Sequence, residues 1–229
     1  MDTNDYAQRS QERFANGDID GGFADLDEAI RLDPHNPAYY WTRGMLHYEG
    51  DEHALAVADF TAIIELSSDE RELEAAYRKI AICDEILGDT EASIAAMDWV
   101  IDQGYGDAEL YQSRAHGKRK LGYLDGAIQD LTTAQQMASA DIDSDILLLR
   151  AQTNYEAGYY SDALHDLTHI LSANETRSTY LAAVLDWRGQ AYFALNQRDA
   201  ALTDFNMVMQ LSGGQPFTDA AEYMRAFHP

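Results

Sequence analysis

Large, small and charged positions recur along this chain in a register far longer than one helix turn. Arg43-Gly44 … Ala56 … Asp59-Phe60 returns, with the same internal spacing, as Arg188-Gly189 … Ala201 … Asp204-Phe205. Continued in both directions, the register marks six units beginning near residues 3, 37, 74, 108, 144 and 182. Position 8 of the units is Ser10, Gly44, Ala81, Ala115, Ala151 and Gly189; position 20 is Gly22, Ala56, Ser93, Ala127, Ala163 and Ala201. Small residues at two points twelve apart let two helices cross closely, where a larger side chain would overpack the crossing at a cost of roughly 1–3 kcal/mol. Position 24 is always large and apolar (Leu26, Phe60, Met97, Leu131, Leu167, Phe205), and position 4 is Tyr or Leu. Between the two segments stands a turn signal: Gly17-Asp18, Gly50-Asp51, Gly88-Asp89, Gly122, Gly158 and Asn196. Gly and Asn tolerate a left-handed helix stop. Each unit therefore predicts helix, short turn, helix, and one unit alone cannot bury its apolar face.

The surplus residues between units fall around 67–73, 139–143 and 173–180, where loops are expected to absorb them at little cost. Asp141 to Asp145 opens like a calcium loop, but its sixth and twelfth places hold Ile146 and Gln152 where Gly and Glu are needed. An inter-unit loop with Ser144 or Asp145 capping the next helix is expected there. Pro216 opens one further helix, with Phe217, Ala220, Ala221, Met224 and Phe227 at helical spacing, expected to cap the array over 216–229.

Charges follow the same register. Position 7 is Arg9, Arg43, Arg114, Arg150 and Arg188, and position 23 is Asp25, Asp59, Asp130, Asp166 and Asp204; the third unit has Ile80 and Ala96 instead. The joint loss predicts that the two positions pair within one unit.

The position-4 aromatics, the small residues at 8 and 20, the large one at 24 and the closing Leu32-Asp33-Pro34 resemble the tetratricopeptide repeat (TPR) family over residues 3–213. That resemblance implies an all-α, right-handed α-solenoid of helix-turn-helix repeats forming one domain. It implies a non-catalytic module that binds a peptide segment or protein partner in a concave groove lined by the first helices. At the groove positions stand Phe14, Trp41, Met45, Tyr48, Arg78, His116, Arg119, Lys120, Tyr155 and Phe193. Large aromatics and arginine are favoured in binding hot spots. The basic residues of units three and four suit an acidic segment. A second surface, Ala92, Ala95, Ala96 and Trp99, is spaced as an apolar stripe on the second helix of unit three and is expected on the outer face, as an interface for a larger complex.

Composition narrows the classes. The formal charge of −24 disfavours nucleic acid and anionic membranes, which need a basic footprint. One cysteine, Cys83, forms neither an internal disulfide nor a thiolate cluster. The acidic start lacks the pattern of a secretory signal, and a cytoplasmic location is expected. His165 and His169 stand one helix turn apart, a spacing that can chelate zinc, but a third ligand is missing. No phosphate loop or nucleophile motif is present. No cofactor, metal or catalytic residue is expected.

Overall fold

The computed structural model describes residues 2–138, 140–172 and 178–213, with backbone only at 140–143 and 178–179; the capping helix expected over 216–229 lies outside the described residues. Twelve helices follow one another within the described residues: α1 (Thr3–Ala15), α2 (Ile19–Leu32), α3 (Pro37–Glu49), α4 (His53–Leu66), α5 (Glu70–Leu87), α6 (Thr90–Asp102), α7 (Ala108–Lys120), α8 (Leu124–Met137), α9 (Ala140–Glu156), α10 (Tyr160–Ser172), α11 (Ser178–Ala194) and α12 (Arg198–Leu211). They pair as six hairpins. The chain divides into two compact units, residues 1–106 with α1–α6 and residues 107–229 with α7–α12, and within each unit every helix packs on the next.

Aspartate starts many of these helices. Asp2 and Asp5 form a capping box on α1, and Asp18, Asp69, Asp89 and Asp107 accept backbone N–H groups at the starts of α2, α5, α6 and α7. Asn36 does the same for α3, ahead of Pro37. Such caps satisfy orphan donors and place negative charge at the positive end of the helix dipole. Position 15 ends the first helix of every hairpin with a positive φ, from 59° at Asp51 and 60° at Asn196 to 84° at Gly88. In the second hairpin the left-handed residue is Asp51, while Gly50 is ordinary at φ −87°.

The surplus residues are not simple loops. They lengthen first helices at their N-terminal ends: α5, α9 and α11 have 18, 17 and 17 residues, against 13 for α1, α3 and α7. Ser144 and Asp145 consequently lie inside α9 rather than capping it. A helical turn satisfies its own backbone hydrogen bonds, which a loop of equal length must find elsewhere.

The small positions do what their spacing requires. A Cβ at Gly189 would stand 2.6 Å from the Phe205 ring, and one at Gly44 3.0 Å from the Phe60 ring. Phe60, Leu131, Leu167 and Phe205, all at position 24, are fully buried beside these crossings.

Candidate functional site

The five arginine–aspartate pairs form as expected, each between the two helices of one hairpin. Arg188 donates from Nε and Nη2 to Asp204 at 2.7 Å each, Arg150 to Asp166 at 2.8 and 2.7 Å, and Arg114 to Asp130 at 2.9 and 2.6 Å. Arg9 holds Asp25, and Arg43 holds Asp59 and also reaches back to Asp27 of the preceding hairpin at 2.6 Å. All five aspartates are buried. In the third hairpin Ile80 and Ala96 are buried in their place, the apolar exchange that a buried ion pair tolerates.

Position 11 completes this layer. Arg13 lies 3.2 Å from Asp25 and Lys118 2.9 Å from Asp130, so two hairpins aim a second cation at the same carboxylate, and in the second hairpin the His47 ring stands 3.9 Å from Asp59. In the third hairpin position 11 is Asp84, buried, with no cation or hydrogen bond on its carboxylate from the described residues. Burial pushes its pKa up, and the charge of Asp89 adds to the rise.

The surface offered by the first helices divides by unit. In residues 1–106, Trp41 stacks obliquely on buried Phe60, with ring centroids 5.4 Å apart. Its exposed side walls a pocket of about 410 Å³ between α3, α4 and α5, floored by Ala38, Ile63 and Ala75 and rimmed by Arg71 and Glu72. Along α5, Ala75, Lys79, Ile82 and Ile86 continue one helical face from this pocket. Ile82 and Ile86 are 41% and 55% exposed. Along α3, Trp41, Met45 and Tyr48 run parallel, and the Lys79 ammonium lies 4.5 Å from the Tyr48 ring, joining the two faces. Three of the expected groove residues are thus brought together. Ile82 and Ile86, at positions 9 and 13, are not among the residues expected from sequence, because an aliphatic side chain at helical spacing reads equally well as core.

The other expected residues are drawn elsewhere. Phe14 packs on Gly22 and edge-on to Phe23, and Phe193 packs against Ala201 and Phe205, inside their own hairpins. Position 12 therefore divides between the hairpin interior, as at Phe14 and Phe193, and the open face, as at Tyr48. Tyr155 meets Tyr160 and Trp187 edge-on. Arg78 is tied to Glu74 and donates to the Tyr105 carbonyl at 2.7 Å. Arg119 makes two hydrogen bonds to Glu156, at 2.8 and 2.5 Å, which raise its pKa. His116 and Lys120 remain exposed on α7. On α6, Ala96 is buried against the hairpin and offers no surface, and Trp99 stacks on Tyr77 at 4.3 Å; Ala92 is half-buried and Ala95 exposed.

Among the described residues no group of three or more His, Cys, Asp or Glu side chains is placed to hold a metal ion. No described helix is long and apolar enough to cross a membrane.

No protein-family description and no curated protein sequence matches the chain. Solved structures do. YrrB, described as a TPR protein with an unusual peptide-binding site, superposes with a TM-score of 0.70 at 16% identity, over 88% of this chain and 97% of its own. The C-terminal part of a TPR repeat-containing protein from Cytophaga hutchinsonii gives 0.70 at 15%, over 96% and 88%. MamA from Desulfovibrio magneticus gives 0.59 at 14%, over 76% and 97%. The chain has the fold of the tetratricopeptide-repeat proteins.

Proposed function

We propose that this chain is a non-catalytic interaction module that holds a peptide segment or protein partner on the first-helix face of residues 1–106. The observation that carries this reading is the apolar pocket at Trp41, continued by Ile82 and Ile86. An exposed, preformed apolar surface of this kind captures a bulky side chain at little ordering cost. The peptide-binding site described for YrrB supports the same use of the fold. The acidic segment expected of the partner is narrowed to one acidic residue beside the anchor, facing Arg71 on the pocket rim, because Arg78 and Arg119 already hold carboxylates of this chain. The charge of −24 argues against nucleic acid or an anionic membrane as partner, and a cytoplasmic setting suits the single buried cysteine. A reading through the outer face of α6 keeps only Ala92, Ala95 and the edge of Trp99.

Selection of a displayed random-peptide library on the intact chain tests the proposal. Selected peptides should share a large apolar anchor and lose roughly 30-fold or more in affinity on Trp41→Ala, the loss expected of a hot-spot residue. Ile82→Glu should weaken them as well. Peptides indifferent to both but abolished by Trp99→Glu would move the site to α6.

A further inference from the structure

A second cavity, unconnected with the groove reading, lies in residues 107–229. It measures about 350 Å³ and is lined from α8, α9, the following turn and α10 by residues that include Thr132, Arg150, Asn154, Tyr159, Asp162, His165 and Asp166. We propose that it receives the guanidinium head of an arginine presented by a partner protein.

The argument begins with what the other hairpins place at the same point. Asn154 occupies position 11, where Arg13 and Lys118 bring a cation to the aspartate of their own hairpins. In the fourth hairpin the Lys118 ammonium sits on Asp130, which Arg114 also holds. In the fifth, Asp166 keeps its arginine, but position 11 is a short neutral amide, and a cavity stands beside the carboxylate. The space is one that this chain elsewhere fills with its own cation.

Asn154 is itself unusual. It is 4% exposed, its backbone carbonyl accepts from Tyr159, and its side-chain amide makes no hydrogen bond with the described residues. Buried amides are normally partnered, and this one lines the cavity, where a ligand can supply the partner. The electrostatics select a cation. Arg150 is already committed, with two hydrogen bonds to Asp166 and a third, at 3.2 Å, to Thr132. Asp162 is exposed at the mouth, and Asp125 accepts from the Tyr159 hydroxyl at 3.0 Å. The Tyr159 ring supplies an aromatic wall. A planar guanidinium has donors for both Asn154 and a carboxylate, and a face for the ring; an anion would meet only compensated positive charge.

The test follows the Asn154 side-chain amide by nitrogen–proton NMR in the intact chain, its signals identified by their loss in Asn154→Ala. N-acetyl-arginine amide should shift them saturably, while the uncharged N-acetyl-citrulline amide should not. Asp162→Asn should weaken the arginine amide by roughly tenfold, as expected for one charge-assisted contact. Asn154→Lys, which copies the fourth hairpin, should abolish binding, read at another pocket amide, while the fold remains intact by circular dichroism. Equal shifts with citrulline amide, shifts with inorganic phosphate alone, or no shift with any probe would overturn the proposal. Binding of agmatine without the arginine amide would overturn the partner protein as the source.

Discussion

Asp204 is 3% exposed and takes two hydrogen bonds from Arg188, itself four-fifths buried. Removing one member strands the other in a low-dielectric site. Asp204→Ala should therefore cost about 3–5 kcal/mol in urea unfolding. The third hairpin supplies the control: Arg188→Ile combined with Asp204→Ala copies Ile80 and Ala96 and should recover most of the loss. A double variant as unstable as the single would show that the pair contributes more than mutual compensation. The pair of the first hairpin also responds to acid. The hydrogen bond from Arg9 holds the Asp25 carboxyl below its ordinary range. Its stabilisation is complete above the unfolded-state pKa and is lost as the pH falls through the depressed folded one. Asp84 has the opposite sign, because burial raises its pKa and its charge costs stability at neutral pH. Asp84→Asn should raise the melting temperature at neutral pH by roughly 2–4 °C, the shift that about 1 kcal/mol gives at this chain length. The gain should shrink as the pH falls through the raised folded pKa. An unchanged or lower melting temperature at neutral pH would mean that the carboxylate is satisfied.

At the scale of the element, helix crossing distance is set by residues with almost no side chain. Gly189→Ala drives a methyl into the fully buried Phe205 ring and should cost roughly 1–3 kcal/mol. Gly126→Ala in α8 meets only the flexible Lys118 stem, at 3.4 Å, and should be neutral or stabilising by up to about 1 kcal/mol. Equal effects of the two in urea unfolding would remove the crossing argument. Such crossings were legible in sequence because they demand one residue size at one spacing, and the arginine–aspartate pairs because both partners change together in the third unit. The added helical turns of α5, α9 and α11 were not, since an acidic, polar stretch such as Asp69-Glu70-Arg71-Glu72 serves a loop or a capped helix start equally well. Nor could repeat position separate the hairpin interior from the open face. Position 12 lies on the border between them, so Phe14 and Phe193 turn inward while Arg119 finds Glu156.

Across the whole chain, 40 acidic side chains face 16 Lys and Arg, and much of the basic minority is consumed internally. Arg9, Arg43, Arg114, Arg150 and Arg188 hold buried aspartates, and Lys118, Arg78 and Arg119 are tied to carboxylates of their own unit. The basic side chains are therefore spent largely on internal pairing, and the binding proposed for the first unit rests on apolar contact. The three tryptophans, Trp41, Trp99 and Trp187, report on three different places: the pocket, the second helix of the third hairpin, and the packing of Tyr155 against α11. Labelling the chain with 5-fluorotryptophan gives one fluorine signal for each. On addition of a peptide selected for binding, the Trp41 signal should shift and the other two should stay in place. A shift confined to Trp99, with Trp41 unmoved at saturation, would contradict the account.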